Sequence, residues 1–447
     1  MPAEASTTAP VERRLFGTDG VRGLAGEFLT AELALALGRA VTATSPAQAP
    51  QVLIVRDTRE SGEMLEAALA AGIAAAGGHA LLGGVLPTPG AALLVRRFGF
   101  DLAAVVSASH NPYEDNGIKF FGPDGTKLDD ELEARVEAAV ADPPPAPHPG
   151  RVRELHGAAG DYLRELHTRF EQLDLSNTKV LLDCANGATY SVAPAIFRRL
   201  GADADAIAVE PDGRNINDGC GSTHVESLAE KVTEGGYDVG FAFDGDGDRV
   251  LAVDRHGVVV DGDELIALAA LHLREAERLP GGGVAVTVMT NYGFHQAMDA
   301  AGVEVATTPV GDRHVLAELL KRGWALGGEQ SGHIIDTNFV PSGDGIAAAL
   351  LTLEALRDGD LAGRDAMAKL PQTLVNVQVG DCGAVKGATA VWDAVEEEGR
   401  RLEGRGRVLI RPSGTEPVVR VMVEAPEESE CGEVAERLVG VVRRELG

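Results

Sequence analysis

Asp244, Asp246 and Asp248 alternate with two glycines, and apolar segments stand directly before and after them, at 239–243 and 250–253. Short, continuous apolar runs of this kind are typical of buried strands. Three carboxylates packed between two buried strands would repel one another unless a cation neutralised them. The sequence therefore predicts a strand–loop–strand unit whose loop binds a metal ion.

This acidic run has two other interpretations. A calcium loop of the EF-hand type needs glycine at its sixth position and glutamate at its twelfth, counted from Asp244. The chain has Arg249 and Arg255 at those positions, which excludes that loop. An ordinary solvated turn is the remaining alternative.

A serine loop forms the second motif. Residues 107–112 read Ser-Ala-Ser-His-Asn-Pro, and the predicted strand 102–106 delivers Ser109 to its carboxyl end, where α/β folds place ligand chemistry. The serine lacks the G-x-S-x-G context of acyl-transfer hydrolases, and an ordinary loop pair is the plain alternative. A hydroxyl beside a three-carboxylate cation site points to phosphoryl chemistry, because a phosphoserine oxygen can complete the coordination of Mg²⁺.

The formal net charge of −28 argues against nucleic acid or an anionic membrane as partner. An acidic protein that binds a phosphate must gather cationic groups locally. Four arginines stand in or beside glycine-rich segments and could supply this positive charge; they are Arg22, Arg249, Arg411 and Arg420.

The overall composition, 45% hydrophobic and 24% charged, is that of a well-cored globular protein. No uninterrupted apolar run approaches the roughly twenty residues of a membrane span, and residues 1–14 read as a loose tail rather than a signal peptide. The cysteines lack C-x-x-C spacing, which favours a reducing cytoplasm over a disulfide framework or a zinc site. They are Cys184, Cys220, Cys382 and Cys431.

Short β-rich runs alternate with helical patterns along the whole chain, which predicts an α/β protein. The 447 residues suggest about three or four domains, and the proline-rich segment 142–150 predicts a linker. Ser61 is expected to cap the first turn of its helix. Predicted strands are 51–55, 102–106, 179–183, 284–289, 303–307, 324–326, 408–410 and 418–423; predicted helices are 61–76, 161–171, 190–200, 263–278, 292–301, 388–402 and 433–446.

Two further loops follow predicted strands. In the loop 327–333, Glu329, Ser331 and His333 alternate among glycines, a pattern suited to sugar hydroxyls but weakly specific alone. The loop 411–417 reads Arg-Pro-Ser-Gly-Thr-Glu-Pro. There a glycine permits a tight turn with inward amides, hydroxyls add donors, and arginines add bidentate bonds to phosphate. A plain turn is the alternative for this last loop.

Taken together, and in their order along the chain, the four motifs resemble those of the α-D-phosphohexomutases. The resemblance implies an α/β fold of four domains around a central cleft: three similar domains with mixed sheets and a smaller C-terminal α+β domain. The implied domains carry the phosphoserine, metal, sugar and phosphate loops in turn, with bounds 1–155, 156–260, 261–371 and 372–447.

Within that family, the opening segment 16–23, the stretch 116–121 and Gln330 are similar to the branch that acts on glucosamine phosphates. His314 departs from that branch, which commonly has tyrosine there. The implied reaction interconverts glucosamine 6-phosphate and glucosamine 1-phosphate through a phosphoserine enzyme and a bisphosphorylated sugar, which also serves as primer.

The resemblance also implies roles for individual residues. Ser109 is expected to carry the phosphoryl group, and Mg²⁺ is expected on its phosphate and on the three aspartates. His110 and Lys119 are also expected to be catalytic, because they lie close to Ser109 in sequence and could shuttle the hydroxyl proton. The expected substrate-binding residues are Thr18, Arg22, Arg249, Glu329, Ser331, His333, Arg411, Ser413, Gly414, Thr415 and Arg420. For Lys119, a solvated surface charge is the alternative.

Two rival functions remain open from sequence. One is mannose or glucose phosphate specificity within the same family, and the other is a phosphosugar-binding protein without turnover. As partner we expect a small phosphosugar, with neither nucleic acid nor membrane, and we leave a homodimer open.

Overall fold

The computed structural model describes nearly the whole chain. The predicted site residues Thr18, Ser413, Gly414 and Thr415, and the linker positions 142–147, lie outside the described residues. Described are residues 15–17, 19–141, 148–357, 359–412 and 417–447.

The chain divides into two compact units. In the described ranges, one unit comprises Met1–Val288 and Ala306–Arg364, and the other comprises Met289–Val305 and Asp365–Gly447. The described strands form four sheets. None of the described helices combines the length and hydropathy that a membrane span requires.

The first sheet has six strands in the order β1-β5-β4-β2-β3-β6. Strands β2, β3, β4 and β6 run parallel, and β5 pairs antiparallel with both β4 and β1. Parallel β2 and β4 therefore end at the same edge. The strands are Val21–Leu24 (β1), Gln51–Arg56 (β2), His79–Val85 (β3), Leu102–Val106 (β4), Asp115–Phe121 (β5) and Arg151–Glu154 (β6), and the helices are Ala31–Thr44 (α1), Gly62–Ala75 (α2), Thr88–Phe98 (α3) and Asp130–Val140 (α4).

The second sheet has the order β11-β10-β9-β7-β8. Its strands β7, β8 and β9 are parallel, whereas β10 returns antiparallel beside β9. The predicted strand–loop–strand is thus a hairpin with the aspartates at its turn. The elements are Ala158–Arg169 (α5), Lys179–Asp183 (β7), Val192–Arg199 (α6), Asp203–Ile207 (β8), Glu226–Gly235 (α7), Val239–Phe243 (β9), Val250–Asp254 (β10) and Val259–Val260 (β11).

The third sheet, β13-β12-β14-β15, is also mixed, because β12 and β14 are parallel and β15 is antiparallel to β14. Its hairpin between β14 and β15 carries the loop predicted to bind sugar. The elements are Gly262–Glu275 (α8), Gly283–Thr287 (β12), Tyr292–Ala300 (α9), Glu304–Thr308 (β13), Asp312–Arg322 (α10), Leu326–Gly328 (β14), Ile334–Asp336 (β15) and Gly345–Leu356 (α11).

The last sheet is antiparallel, in the order β16-β18-β17, with two helices. Its buried aliphatic residues form a core of their own. The predicted α/β class with a smaller C-terminal α+β domain is confirmed. The elements are Gln372–Gln378 (β16), Thr389–Arg401 (α12), Arg407–Pro412 (β17), Val418–Glu424 (β18) and Glu428–Leu446 (α13).

Several local predictions were wrong for identifiable reasons. Ser61 makes no side-chain bond to its own helix, because its hydroxyl accepts a bond of 2.9 Å from Asn116. The strand predicted at 324–326 begins two residues later, since the Trp324 amide is bound to Leu319 at the end of α10. Helix α13 begins at Glu428 rather than at 433, because acidic residues in its first turn favour an earlier start.

Candidate functional site

The structure brings the serine loop and the aspartate loop into contact. Ser109 lies three residues beyond β4, is only 2% exposed, and donates a hydrogen bond of 2.6 Å from Oγ to Asp244 Oδ2. The two residues are 135 positions apart. Two motifs that sequence analysis selected separately therefore form one site.

The backbone of Ser109 is held in an unusual conformation by Arg59. Ser109 has a φ of +53°, which for a non-glycine residue costs about 1–3 kcal/mol unless the surroundings impose it. Arg59, fully buried, donates to the carbonyls of Ser109 at 2.9 Å, Asn111 at 2.8 Å, Asp115 at 2.9 Å and also Pro112. One guanidinium thus fixes the whole loop through backbone acceptors.

Asp57 completes this scaffold. Its Oδ2 accepts from Arg59 Nε at 2.8 Å and from the Ser107 hydroxyl at 2.5 Å, and the Ser107 oxygen in turn accepts from the Ser109 amide at 3.0 Å. Sequence analysis missed Asp57 and Arg59. The available signal was that both directly follow β2, the parallel neighbour of β4, so their side chains gather at the same sheet edge.

The three aspartates have the geometry of a cation site. Each offers a carboxylate oxygen, and these oxygens lie within 4.8 Å of one another in buried surroundings. Asp246 Oδ1 and Asp248 Oδ1 are buried and have no hydrogen-bond partner among the described residues. Buried, unsatisfied carboxylate oxygens are costly without a cation, and hard oxygen ligands suit Mg²⁺ or Ca²⁺. The donor set therefore fits a divalent metal ion.

The glycines of this loop permit the close approach. A Cβ added at Gly245 would lie 2.5 Å from the Ser109 carbonyl oxygen, so any side chain there would push the two loops apart. Asn217 reinforces the contact by donating to the carbonyls of Ser109 at 3.0 Å and Asn111 at 3.1 Å.

The electrostatics of the loop also call for a cation. Burial, together with the charges of Asp248 and Asp246, raises the pKa of Asp244 well above its ordinary value, although Arg249 and the Ser109 hydroxyl oppose the shift. A divalent ion would relieve this repulsion and keep the carboxylate ionised.

Lys119 lies inside the site and is not a surface charge. Its side chain is 1% exposed, and Nζ lies 2.9 Å from both Asp246 Oδ2 and Asp19 Oδ2. Burial lowers the pKa of Lys119, but the charges of Asp19, Asp246 and Asp248 outweigh it and raise that pKa above the ordinary value. The amine is therefore a fixed positive charge beside the metal loop.

His110 borders the serine hydroxyl. Its Nδ1 lies 3.4 Å from Ser109 Oγ and 3.2 Å from Arg249 Nη1. Burial and the charges of Arg249 and Arg22 lower the pKa of His110. Since a guanidinium can only donate, Nδ1 is the acceptor of the neutral ring, and it can receive a proton once it gives up the bond to Arg249.

His333 lies against the aspartate loop. It was predicted to bind substrate, but it is only 3% exposed, and its Nδ1 and Nε2 lie 3.6 Å from Asp248 and 3.7 Å from Asp312. Its role in substrate binding stays a prediction. Its geometry is that of a residue that orients Asp248.

The other two residues of that loop remain accessible. Ser331 is exposed, while Glu329 is half-buried and accepts from the Gly311 amide at 3.0 Å. The Gly332 carbonyl accepts from the Val250 amide at 3.0 Å. The loop therefore lies against the strand that leaves the aspartate loop.

The predicted arginines fall into two groups. Arg22, on β1, pairs with Asp19 at 2.5 Å and reaches Asn111 at 3.5 Å, and the Arg249 amide donates to Asp244 at 3.2 Å. In the other unit, Arg411 and Arg420 are direct cross-strand partners of β17 and β18. Like charges placed opposite each other destabilise a sheet, so this pair is suited to an anion.

Comparison with known proteins places these sites in a family. Models described as phosphoglucomutase/phosphomannomutase α/β/α domains I, II and III and C-terminal domain match residues 13–144, 155–257, 261–374 and 374–441. The chain belongs to the phosphoglucomutase/phosphomannomutase family of enzymes, which confirms the resemblance to the phosphohexomutases.

Its relatives include proteins named phosphoglucosamine mutase. The chain is 51% identical to that of Rubrobacter xylanophilus over 98% of this chain and 99% of the relative. It is 50% identical to that of Moorella thermoacetica over 93% and 96%, and 50% identical to that of Desulforudis audaxviator over 96% and 97%.

Solved structures share the fold. A phosphoglucomutase/phosphomannomutase family protein from Burkholderia thailandensis superposes with a TM-score of 0.81 at 24% identity, covering 96% of this chain and 97% of that one. N-acetylphosphoglucosamine mutase from Aspergillus fumigatus, solved with GlcNAc-6P and magnesium, has a TM-score of 0.68 at 19% identity, covering 97% and 96%.

The scaffold around Ser109 generates a prediction. Arg59→Lys keeps the charge but removes the guanidinium N–H groups that donate to several buried carbonyls. Each buried carbonyl left without a donor costs about 1–3 kcal/mol. We expect the free energy of unfolding to fall by on the order of 3 kcal/mol and hydrogen exchange of the loop 109–115 to accelerate. Arg198→Lys is the control, because this more exposed arginine also donates to a carbonyl, that of Ala204. Equal effects of the two substitutions would contradict the proposed scaffold role.

Proposed function

We propose that this protein interconverts glucosamine 6-phosphate and glucosamine 1-phosphate. The observation that supports this proposal most directly is the contact of Ser109 Oγ with Asp244 inside a buried group of three carboxylates. Relatives about 50% identical over nearly their full length and named phosphoglucosamine mutase support the choice of sugar.

In this proposal Ser109 carries the phosphoryl group between two positions of the sugar. A sugar hydroxyl attacks the phosphorus of phosphorylated Ser109, the bond from phosphorus to Oγ breaks, and a bisphosphorylated sugar forms. The hydroxyl proton leaves to a nearby base, and Ser109 Oγ becomes protonated. After the sugar reverses, the other phosphoryl group returns to Ser109 by the same exchange, so the sugar bisphosphate also serves as primer.

Asp246 Oδ1, Asp248 Oδ1 and one oxygen of Asp244 would hold Mg²⁺, with a phosphoryl oxygen on Ser109 as a further ligand. When bound, the ion offsets the charge of the transferring phosphoryl group. The outer oxygens are held by the protein: Asp246 Oδ2 accepts from Thr88 at 2.6 Å and from Lys119 at 2.9 Å.

Three side chains near Ser109 would share the remaining chemistry with Lys119. Lys119 would stay protonated and add positive charge beside the phosphoryl group. His110, at 3.4 Å from Oγ and neutral, is the better candidate to take up and return the proton. Arg22 and Arg249 would bind phosphate oxygens, since a guanidinium hardly deprotonates.

The distal phosphate would be bound by the C-terminal unit, through Arg411 and Arg420 together with Ser413, Gly414 and Thr415. Thr18 is proposed as a further substrate contact. A phosphate between Arg411 and Arg420 would remove their cross-strand repulsion. Such a remote grip converts binding energy into orientation at the reacting end.

Glu329 and Ser331 would bind sugar hydroxyls present in both orientations. We also propose that each of the segments 1–155, 156–260, 261–371 and 372–447 contributes one of the four loops. All four cysteines are free thiols, and this supports the proposal that the protein acts in the reducing cytoplasm. A homodimer stays an open prediction.

Steady-state kinetics test the proposed reaction. In the presence of a sugar bisphosphate and Mg²⁺, we expect kcat/KM for glucosamine 1-phosphate to exceed that for glucose 1-phosphate. Ser109→Ala should lower kcat at least about 1000-fold because the carrier is absent, while Ser227→Ala on α7 should not. Dominant glucose or mannose turnover would select the sister specificity, and absence of any turnover would select the silent binding protein.

The phosphate grip predicts a different kinetic effect at Arg420. Arg420→Ala should raise KM about tenfold or more, because it removes a bidentate partner of the distal phosphate without touching the reacting end. It should also release more bisphosphate before the second transfer, which phosphorus NMR can follow. Arg443→Ala, an exposed arginine of α13, is the matched control. If neither KM nor bisphosphate release changes in Arg420→Ala, the loop is only a turn.

A further inference from the structure

Within the described part of the chain, Asp246 and Asp248 each have one carboxylate oxygen without a hydrogen bond, and the other oxygen of each lies near a cationic or histidine side chain. Lys119 Nζ lies 2.9 Å from Asp246 Oδ2, and His333 Nδ1 lies 3.6 Å from Asp248 Oδ2. In each case Oδ1 has no hydrogen-bond partner among the described residues, and Asp248 Oδ1 lies 3.8 Å from Arg249 Nε. The direction in which Oδ1 points therefore depends in part on where Lys119 and His333 are held. It also depends on Thr88, whose hydroxyl donates to Asp246 Oδ2 at 2.6 Å.

Lys119 and His333 are both connected to one residue, Lys127. Its Nζ lies 2.5 Å from Asp19 Oδ1 and 2.7 Å from Asp312 Oδ2. Asp19 Oδ2 contacts Lys119 at 2.9 Å, and Asp312 Oδ2 lies 3.7 Å from His333 Nε2. Because Nε2 accepts a hydrogen bond from the Gly343 amide at 3.1 Å, the approach of Asp312 to His333 is not itself a hydrogen bond. We call this chain of contacts, which the backbone of residues 246–248 closes, the Lys127 ring; its members are Asp246, Lys119, Asp19, Lys127, Asp312, His333 and Asp248.

We propose that Lys127 is a positioning residue for the phosphoryl-transfer site, which sets the orientation of Asp246 and Asp248 through the two branches of the ring. This inference rests on the metal site of the proposed function. Lys127 touches neither a metal-binding carboxylate nor Ser109 in the contacts that define the ring, so any effect it has must pass through Asp19 and Asp312.

The local structure makes Lys127 a rigid anchor. Its backbone forms a bridge with Phe121 at the end of β5, and the next amide, that of Leu128, donates to Phe120 at 3.2 Å. The side chain is 15% exposed. Its partner Asp312 is the first residue of α10, 185 positions further along the chain. Lys127 thus ties the serine-loop sheet to the helix that precedes the β14–β15 hairpin.

Removal of Lys127 would disturb both branches. Asp19 would retain Lys119 and Arg22 as partners, and would compete more strongly with Asp246 for the Lys119 amine. Asp312 would lose its lysine and turn toward His333. Both changes weaken the contacts of the Oδ2 atoms of Asp246 and Asp248. Their Oδ1 atoms would then move away from the positions that suit a metal ion. Metal sites depend on such outer contacts, whose loss typically costs about 10–100-fold in affinity or activity.

The sign of the effect on cation binding separates positioning from simple charge. If Lys127 acted only as a nearby positive charge, its removal would leave the site more negative and a divalent cation would bind more tightly. If it acts by orienting the carboxylates, its removal must weaken cation binding despite the added negative charge.

Titration of the full-length protein with Mn²⁺, followed by isothermal calorimetry and by the EPR signal of free Mn²⁺, makes this distinction without reference to turnover. We expect Lys127→Met to raise the Mn²⁺ Kd about tenfold and to lower kcat about tenfold, with KM changed less than about threefold. Lys127→Arg should restore at least half of each loss. Lys321→Met is the control, because Lys321 forms an exposed ion pair with Glu318 on the same helix α10.

Asp312→Asn supplies a second test that does not depend on the folding of the lysine variant. It preserves side-chain size and should raise the Mn²⁺ Kd about tenfold, more than Glu318→Gln, which removes the same charge from α10 outside the ring. Adding Asp312→Asn to Lys127→Met should change little further, because Asp312 lies on one of the two branches through which Lys127 acts. Unchanged or tighter Mn²⁺ binding in Lys127→Met, or an effect of Asp312→Asn no larger than that of Glu318→Gln, with a wild-type protein that does bind, would overturn the positioning role alone. A wild-type protein that binds no Mn²⁺ would overturn the metal site itself.

Discussion

The repulsion among three buried carboxylates governs the organisation of this site. Asp244, Asp246 and Asp248 place ligand oxygens within 4.8 Å of one another, an arrangement that is unfavourable in a low-dielectric interior without compensating charge. Cationic and polar groups around the loop offset part of the repulsion among the carboxylates, and a divalent cation would offset the rest. The same negative field, once neutralised by such an ion, becomes a place where phosphoryl charge is tolerated.

The serine loop is shaped to meet that cluster. Arg59 holds four carbonyls of the loop while Asp57 holds Arg59, so the left-handed backbone of Ser109 is imposed by buried partners. Orientation of the hydroxyl toward Asp244 follows from this scaffold. A nucleophile or carrier fixed within hydrogen-bond distance needs little reorganisation when it reacts.

Sequence analysis located the reactive groups better than the residues that hold those groups in position. Ser109 and the three aspartates stand at turns after short apolar strands, so local pattern was sufficient to select them and to expect them at a sheet edge. Arg59 and Lys127 were missed, because their meaning lies in partners far along the chain. The burial of Lys119 and of His333 also depends on tertiary packing. Ser61 was predicted as a helix cap, but its hydroxyl oxygen accepts a hydrogen bond from the side chain of Asn116, 55 positions away.

The central claim is that Ser109 and the three aspartates act as one phosphoryl-transfer centre. Single-turnover transfer tests it most directly: the protein is incubated with glucosamine 1,6-bisphosphate and Mg²⁺, both are removed, and the phosphorylated residue is mapped by mass spectrometry. Glucosamine 6-phosphate is then added with Mg²⁺ or with a chelator. We predict phosphate on Ser109 that passes to the sugar only when Mg²⁺ is present. Phosphate on another residue, or transfer that is equally fast in the chelator, would contradict the account.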